Sequence, residues 1–70
     1  MNQYFLNKNA QSNGQHEVHT ASCTYVPSLE NRIDLGYHSN CHSAITKAKS
    51  MYPYWNIDGC YFCSLACHHG

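Results

Sequence analysis

Asp58-Gly59-Cys60-Tyr61-Phe62-Cys63-Ser64-Leu65-Ala66-Cys67-His68-His69 carries three of the five cysteines of this 70-residue chain. Two thiolates in a Cys60-x2-Cys63 pair behind a glycine can occupy one edge of a tetrahedral zinc ion, because the turn between them brings the sulfurs to within about 4 Å. A second pair of ligands must then come from elsewhere, and His19-x3-Cys23 is the upstream candidate. The expected metal site is therefore His19, Cys23, Cys60 and Cys63. Cys67, four residues beyond Cys63, is an alternative fourth ligand in place of His19. Its other readings are a disulfide with Cys41 and a core thiol, and spacing does not choose between them.

A chain this short makes one domain, residues 1–70, and buries too little apolar surface to dispense readily with a metal or disulfides. Five is an odd number of cysteines, and Met1-Asn2-Gln3-Tyr4-Phe5-Leu6-Asn7-Lys8 lacks the charged-then-apolar pattern of a leader. Both features point to a reducing compartment, the cytoplasm, and to zinc rather than a disulfide framework. No apolar run reaches membrane-spanning length.

Four basic residues (Lys8, Arg32, Lys47, Lys49) balance four acidic ones (Glu17, Glu30, Asp34, Asp58). A neutral chain lacks the counterion-release drive that underlies most nucleic-acid binding, so nucleic acid is a weak expectation. Six tyrosines, Trp55 and two phenylalanines favour an unknown protein partner instead. Tyr25, Tyr37, Tyr54 and Trp55 flank turns and are the expected exposed aromatics.

Tyr4-Phe5-Leu6 and His16-Glu17-Val18-His19 read as strands joined by a loop whose Asn13-Gly14 suits positive φ, giving an N-terminal hairpin. Alternation sets Val18 on one face of the second strand and Glu17 with His19 on the other. Pro27 excludes a central strand in its neighbourhood. Arg32-Ile33-Asp34-Leu35-Gly36-Tyr37 is the third strand, with Gly36 marking a bend. Cys41, Ala44, Ile45, Ala48, Met51 and Tyr52 recur on one face of a helix with Ser39 as the expected N-cap and Pro53 as its stop. Tyr54-Trp55-Asn56-Ile57 returns the chain to the cysteine-rich end. The fold class is thus α+β: a small three-stranded antiparallel sheet packed on one helix, closed by a C-terminal zinc knuckle.

No catalytic constellation emerges. A Cys–His nucleophile requires a cleft and an orienting residue, which a chain this short hardly builds, and a closed set of four ligands suits a structural ion. The expectation is a binding module and not an enzyme. The alternative is a thiol-redox or metal-handling protein in which Cys41, Cys67, His68 and His69 pass on a metal or cycle through disulfides.

Two resemblances add to this. Tyr4 to Leu6, Asn7-Lys8-Asn9-Ala10-Gln11-Ser12-Asn13-Gly14, Glu17-Val18-His19-x3-Cys23, Pro27, Glu30-Asn31-Arg32, Leu35-Gly36, Ser39-Asn40-Cys41, Ala44 and Asp58-Gly59-Cys60-x2-Cys63-x3-Cys67-His68 together resemble a functionally uncharacterised family of small bacterial proteins. More loosely, the order hairpin, His-x3-Cys, strand, helix, Gly-Cys-x2-Cys is similar to the zinc-binding module of Ada-type DNA-repair methyl acceptors. That likeness implies a strand-and-helix zinc module with His19, Cys23, Cys60 and Cys63 at the ligand positions. His19 stands where Ada-type modules have their first cysteine. Ada-type modules bind DNA and react one ligand cysteine with methylated phosphate; the implication taken over here is the fold and the metal.

Overall fold

The computed structural model describes residues 1–70. Strand β1 (Asn2–Asn7) pairs antiparallel with β2 (Gln15–Thr20), Leu6 opposite Val18 and Phe5 opposite His19. The loop between them turns at Gly14, whose φ of 84° is the left-handed value that glycine adopts without Cβ strain. Gly14 N–H donates to the Gln11 carbonyl at 2.8 Å.

After a single 3₁₀ turn at Leu29–Asn31, β3 (Arg32–His38) pairs antiparallel with the other edge of β1. Phe5 faces Asp34 while Tyr4 faces Gly36, so Leu35 is an extra residue on β3 and forms a bulge. Gly36, with φ 82°, makes the bend, and the Asp34 side chain accepts its N–H at 2.8 Å. The expected bend at Gly36 is therefore a β-bulge, and it keeps Leu35 turned into the core, 2 % exposed.

Helix α1 (Cys41–Met51) follows. Its N-cap is Asn40, one residue later than the expected Ser39: the Asn40 side chain accepts the Ser43 N–H at 3.0 Å, meeting one of the unpaired donors of the first turn. Cys41, Ala44 and Ala48 are buried, and Ile45 packs beside them. The small alanines let the helix approach the sheet closely. Tyr4, Leu6, Val18 and Leu35 supply the sheet side of this core, with Ile33, Tyr52, Trp55 and Ile57 around its rim.

The expectation of three antiparallel strands needs correcting. A fourth strand, β4 (Asn56–Gly59), pairs parallel with β2, and the sheet is mixed with the order β3-β1-β2-β4. Asn-Ile-Asp-Gly is too short and too polar to alternate visibly, and its pairing depends on α1 carrying the chain back across the sheet. The α+β class with one helix stands. No helix is long and apolar enough to cross a membrane.

The expected exposed aromatics divide. Tyr25, Tyr37 and Tyr54 are exposed. Trp55 is instead half-buried, its ring stacked between His16 (centroids 3.9 Å apart) and Tyr52 (4.1 Å). Pro53 ends the helix, and the turn that follows folds the indole back over the hairpin.

Candidate metal centre

The parallel pair β2–β4 places the ligands. Alternation along β2 sends Val18 into the core and His19 to the opposite face, where it is buried all the same, 2 % exposed. Cys60 N–H donates to the Val18 carbonyl at 3.0 Å, continuing the ladder one residue past β4 and setting Cys60 beside His19. Beyond β2 the chain turns sharply, with Cys23 N–H donating to the Thr20 carbonyl at 3.1 Å. A matching turn after β4 is closed by Ser64 N–H on the Cys60 carbonyl at 2.9 Å. Each strand end thus delivers two donors.

Gly59 is required at the start of the second turn. A Cβ there would lie 2.6 Å from the Ser64 carbonyl oxygen and 2.7 Å from the Cys67 Cβ, closer than side-chain atoms tolerate. Glycine is needed for close approach, and its backbone is not in the left-handed region.

His19, Cys23, Cys60 and Cys63 present donor atoms that all lie within 4.8 Å of one another. Cys23 and Cys60 sulfurs are 3.9 Å apart, and Cys63 Sγ is 3.9 Å from His19 Nδ1. Around a tetrahedral ion with ordinary Zn–S and Zn–N bonds, the S···S edge is about 3.8 Å and the S···N edge about 3.5 Å. The spacing therefore fits four ligands on one metal ion.

The surroundings prepare the donors. Thr20 N–H points at Cys63 Sγ (3.4 Å), and the Ser64 hydroxyl lies 3.9 Å from the same sulfur. Burial alone pushes the Cys63 thiol up, but the donors around it, the Cys23 thiol first and then Thr20 N–H, outweigh burial and hold it below the usual thiol range. Cys23 goes the other way, raised to about 12 by burial and then by its hydrogen bond with Cys63. Cys60 is also raised, chiefly by burial. Cys63 is thus the most readily ionised of the three thiols, and a bound cation would displace the protons of all three.

Burial lowers the His19 pKa, so its imidazole is neutral at pH 7 and free to ligate. With Nδ1 turned toward Cys63, the other ring nitrogen, Nε2, faces Glu17 Oε1 at 3.7 Å. A carboxylate on the far nitrogen is the usual outer partner of a metal-bound histidine, fixing its tautomer and ring orientation. Sequence reading placed Glu17 and His19 on one face without assigning Glu17 this role.

Cys67 lies outside the four-donor cluster. It is bonded to Cys41 at the first turn of α1, with the Cα atoms 6.2 Å apart, so of its three readings the disulfide is the one the structure adopts. All five cysteines are then accounted for, three in the cluster and two in the disulfide. The odd count arises because the fourth donor of the cluster is a histidine. His68 and His69 are also outside it: His68 Nδ1 lies 2.9 Å from the Gly59 carbonyl and 3.1 Å from Asp58, and His69 N–H donates to Asp58 at 2.7 Å. His68 is half-buried and held, not a loose surface side chain.

Around the cluster stand aromatics that sequence reading did not single out. Tyr61 and Phe62, between the two knuckle cysteines, are exposed, and Phe62 stacks on Tyr25 with centroids 4.6 Å apart. With Glu17, His19 and Cys60 they line a cavity of about 320 Å³. Strict x2 spacing turns both residues outward, since the cysteines take the inward positions.

Compared with protein-family models, curated proteins and solved structures, the chain gives no match.

Proposed function

We propose that this domain is a structural-zinc interaction module of the cytoplasm, with Zn²⁺ held by His19, Cys23, Cys60 and Cys63. The observation that carries the reading is the closed set of four donors, three sulfurs and one imidazole, at tetrahedral spacing. Zinc would supply cross-linking and charge neutralisation, tying the end of β2 to the end of β4. No donor position is left open for a substrate, which supports a binding role over a hydrolytic one. The likeness to Ada-type modules agrees with the ligand order and is taken no further.

A protein partner is favoured over nucleic acid. Net charge is zero, and the exposed Tyr25, Tyr61 and Phe62 gather beside the cluster as rigid apolar contact surface. The test is metal analysis of protein purified without added zinc. One zinc per chain, lost in Cys60→Ser and Cys23→Ser, is expected; a folded wild-type protein with no metal and three titratable thiols overturns the reading.

The second reading, thiol-redox or metal handling, is favoured by one observation, the Cys41–Cys67 disulfide. In a reducing compartment that pair would cycle between thiols and disulfide. Counting free thiols under reducing and oxidising conditions separates the two readings: reversible loss of one pair alone supports the second.

A further inference from the structure

The disulfide has a third neighbour. His42, the residue after Cys41, is exposed, yet its Nδ1 reaches to 3.6 Å from Cys67 Sγ. Cys41, His42 and Cys67 offer one donor atom each within 4.8 Å of one another. None of these donors belongs to the four-ligand cluster.

We propose that Cys41, His42 and Cys67 form a second metal site, specific for a soft monovalent cation of the Cu(I) type and present only when the disulfide is reduced. Two thiolates and a neutral imidazole make a trigonal S₂N set, and soft thiolate ligands select Cu(I). Two negative charges against a single positive one leave a net charge of minus one, open to solvent on the exposed His42 side.

The backbone anchors of both cysteines are fixed independently of the S–S bond, so that only the two sulfurs need part to reach ligand spacing when it breaks. Cys41 begins α1, whose start is held by the Asn40 cap and whose body is fixed through Ala44 and Ala48. Cys67 is seated against Gly59, with its N–H on the Ser64 carbonyl at 2.9 Å.

Reduction is ordinary thiol–disulfide exchange. Two equivalents of a small cellular thiol supply two electrons and two protons; the Cys41–Cys67 bond breaks, two S–H bonds form, and the external thiol leaves as its own disulfide. Cu(I) entry then displaces the two thiol protons to solvent, and the copper stays monovalent. Oxidation removes both thiolates at once and closes the site.

The experiment is anaerobic competition for Cu(I) against a chromogenic Cu(I) chelator, with zinc-loaded protein in its disulfide and phosphine-reduced forms and zinc release followed in parallel. The reduced form is expected to take one equivalent of Cu(I) without releasing zinc, and the disulfide form none. His42→Ala, at an exposed position that leaves folding intact, is expected to weaken uptake by on the order of tenfold or more, at least what loss of an outer-sphere partner costs. The Cys41→Ser/Cys67→Ser double variant is expected to abolish it. Equal uptake by both redox forms, copper uptake matched by zinc release, preference for a second zinc, or an unchanged His42→Ala curve overturns the proposal. Because His42→Ala and the double variant report only on this site, a chain without zinc at the first cluster gives a different pattern, with an additional copper bound by every variant in both redox forms while the uptake that depends on His42 stays confined to the reduced form.

Discussion

Glu17 and His19 lie on the same face of β2, and the carboxylate stands 3.7 Å from the imidazole Nε2 while Nδ1 is turned to Cys63. One strand thereby carries both a donor positioned to hold a metal ion and a carboxylate placed beside its far nitrogen. Glu17→Gln keeps the shape and removes the charge, so we expect metal affinity to fall by roughly 10- to 100-fold with the fold retained. Competition with a zinc chelator measures it; an unchanged affinity would show that the carboxylate does not orient the ring.

Burial lowers the His19 pKa below its unfolded value of about 6.5. The unfolded chain therefore takes up this proton before the folded one does. The contribution of His19 to stability is fully present above that unfolded value and is lost as pH falls through the folded pKa. Metal-free protein should show a urea midpoint that declines on acidification below about pH 6.5, and His19→Asn should flatten that limb. A wild-type midpoint as flat as the variant's would contradict the assignment.

At Gly59 an added methyl group has nowhere to go, since the Ser64 carbonyl and the Cys67 Cβ occupy its space. Gly59→Ala is expected to destabilise the protein by about 1–3 kcal/mol or more, the range for overpacking a tight site. Chemical denaturation of the zinc-loaded protein gives the value. A shift of the midpoint within error of wild type would mean that the knuckle relaxes freely.

Asp58 is 1 % exposed, and its carboxylate takes the N–H groups of His69 and Gly70, at 2.7 and 3.1 Å. Asp58→Ala strands these donors and removes the His68 contact, at an expected cost of about 1–3 kcal/mol. Hydrogen exchange at residues 68 to 70 should accelerate well before global unfolding. Exchange there as slow as in wild type would assign the tail's order to other contacts.

How much of this could be read from sequence depended on how local each cause was. The helix face at Cys41, Ala44 and Ala48 and the hairpin turning at Gly14 follow from periodicity and turn chemistry within a few residues. The four donors were nameable because thiol and imidazole chemistry narrows the candidates, and the structure brings His19, Cys23, Cys60 and Cys63 together. β4 was not legible: Asn56–Gly59 has no pattern of its own and becomes a strand only because β2 offers an edge. Trp55 illustrates the same limit, since a residue beside a proline turn looks exposed until the partners of its ring, His16 and Tyr52, are known. His42 sits on the solvent side of its helix, and its approach to Cys67 arises only from the path of the distant knuckle.

The two cross-links have a consequence for the continuity of the chain. The cluster donors Cys23 and Cys60 and the disulfide partners Cys41 and Cys67 alternate along the sequence, so a metal held by the first pair would close a loop containing one anchor of the disulfide, and the disulfide closes a loop containing one donor of the cluster. With metal bound and the disulfide formed, a single peptide-bond cut anywhere from residue 24 to residue 66 leaves two fragments still tethered to each other. A nick between residues 41 and 63 would then show on a denaturing gel only after both reductant and chelator had been added, one between 24 and 40 after chelator alone, and one between 63 and 66 after reductant alone.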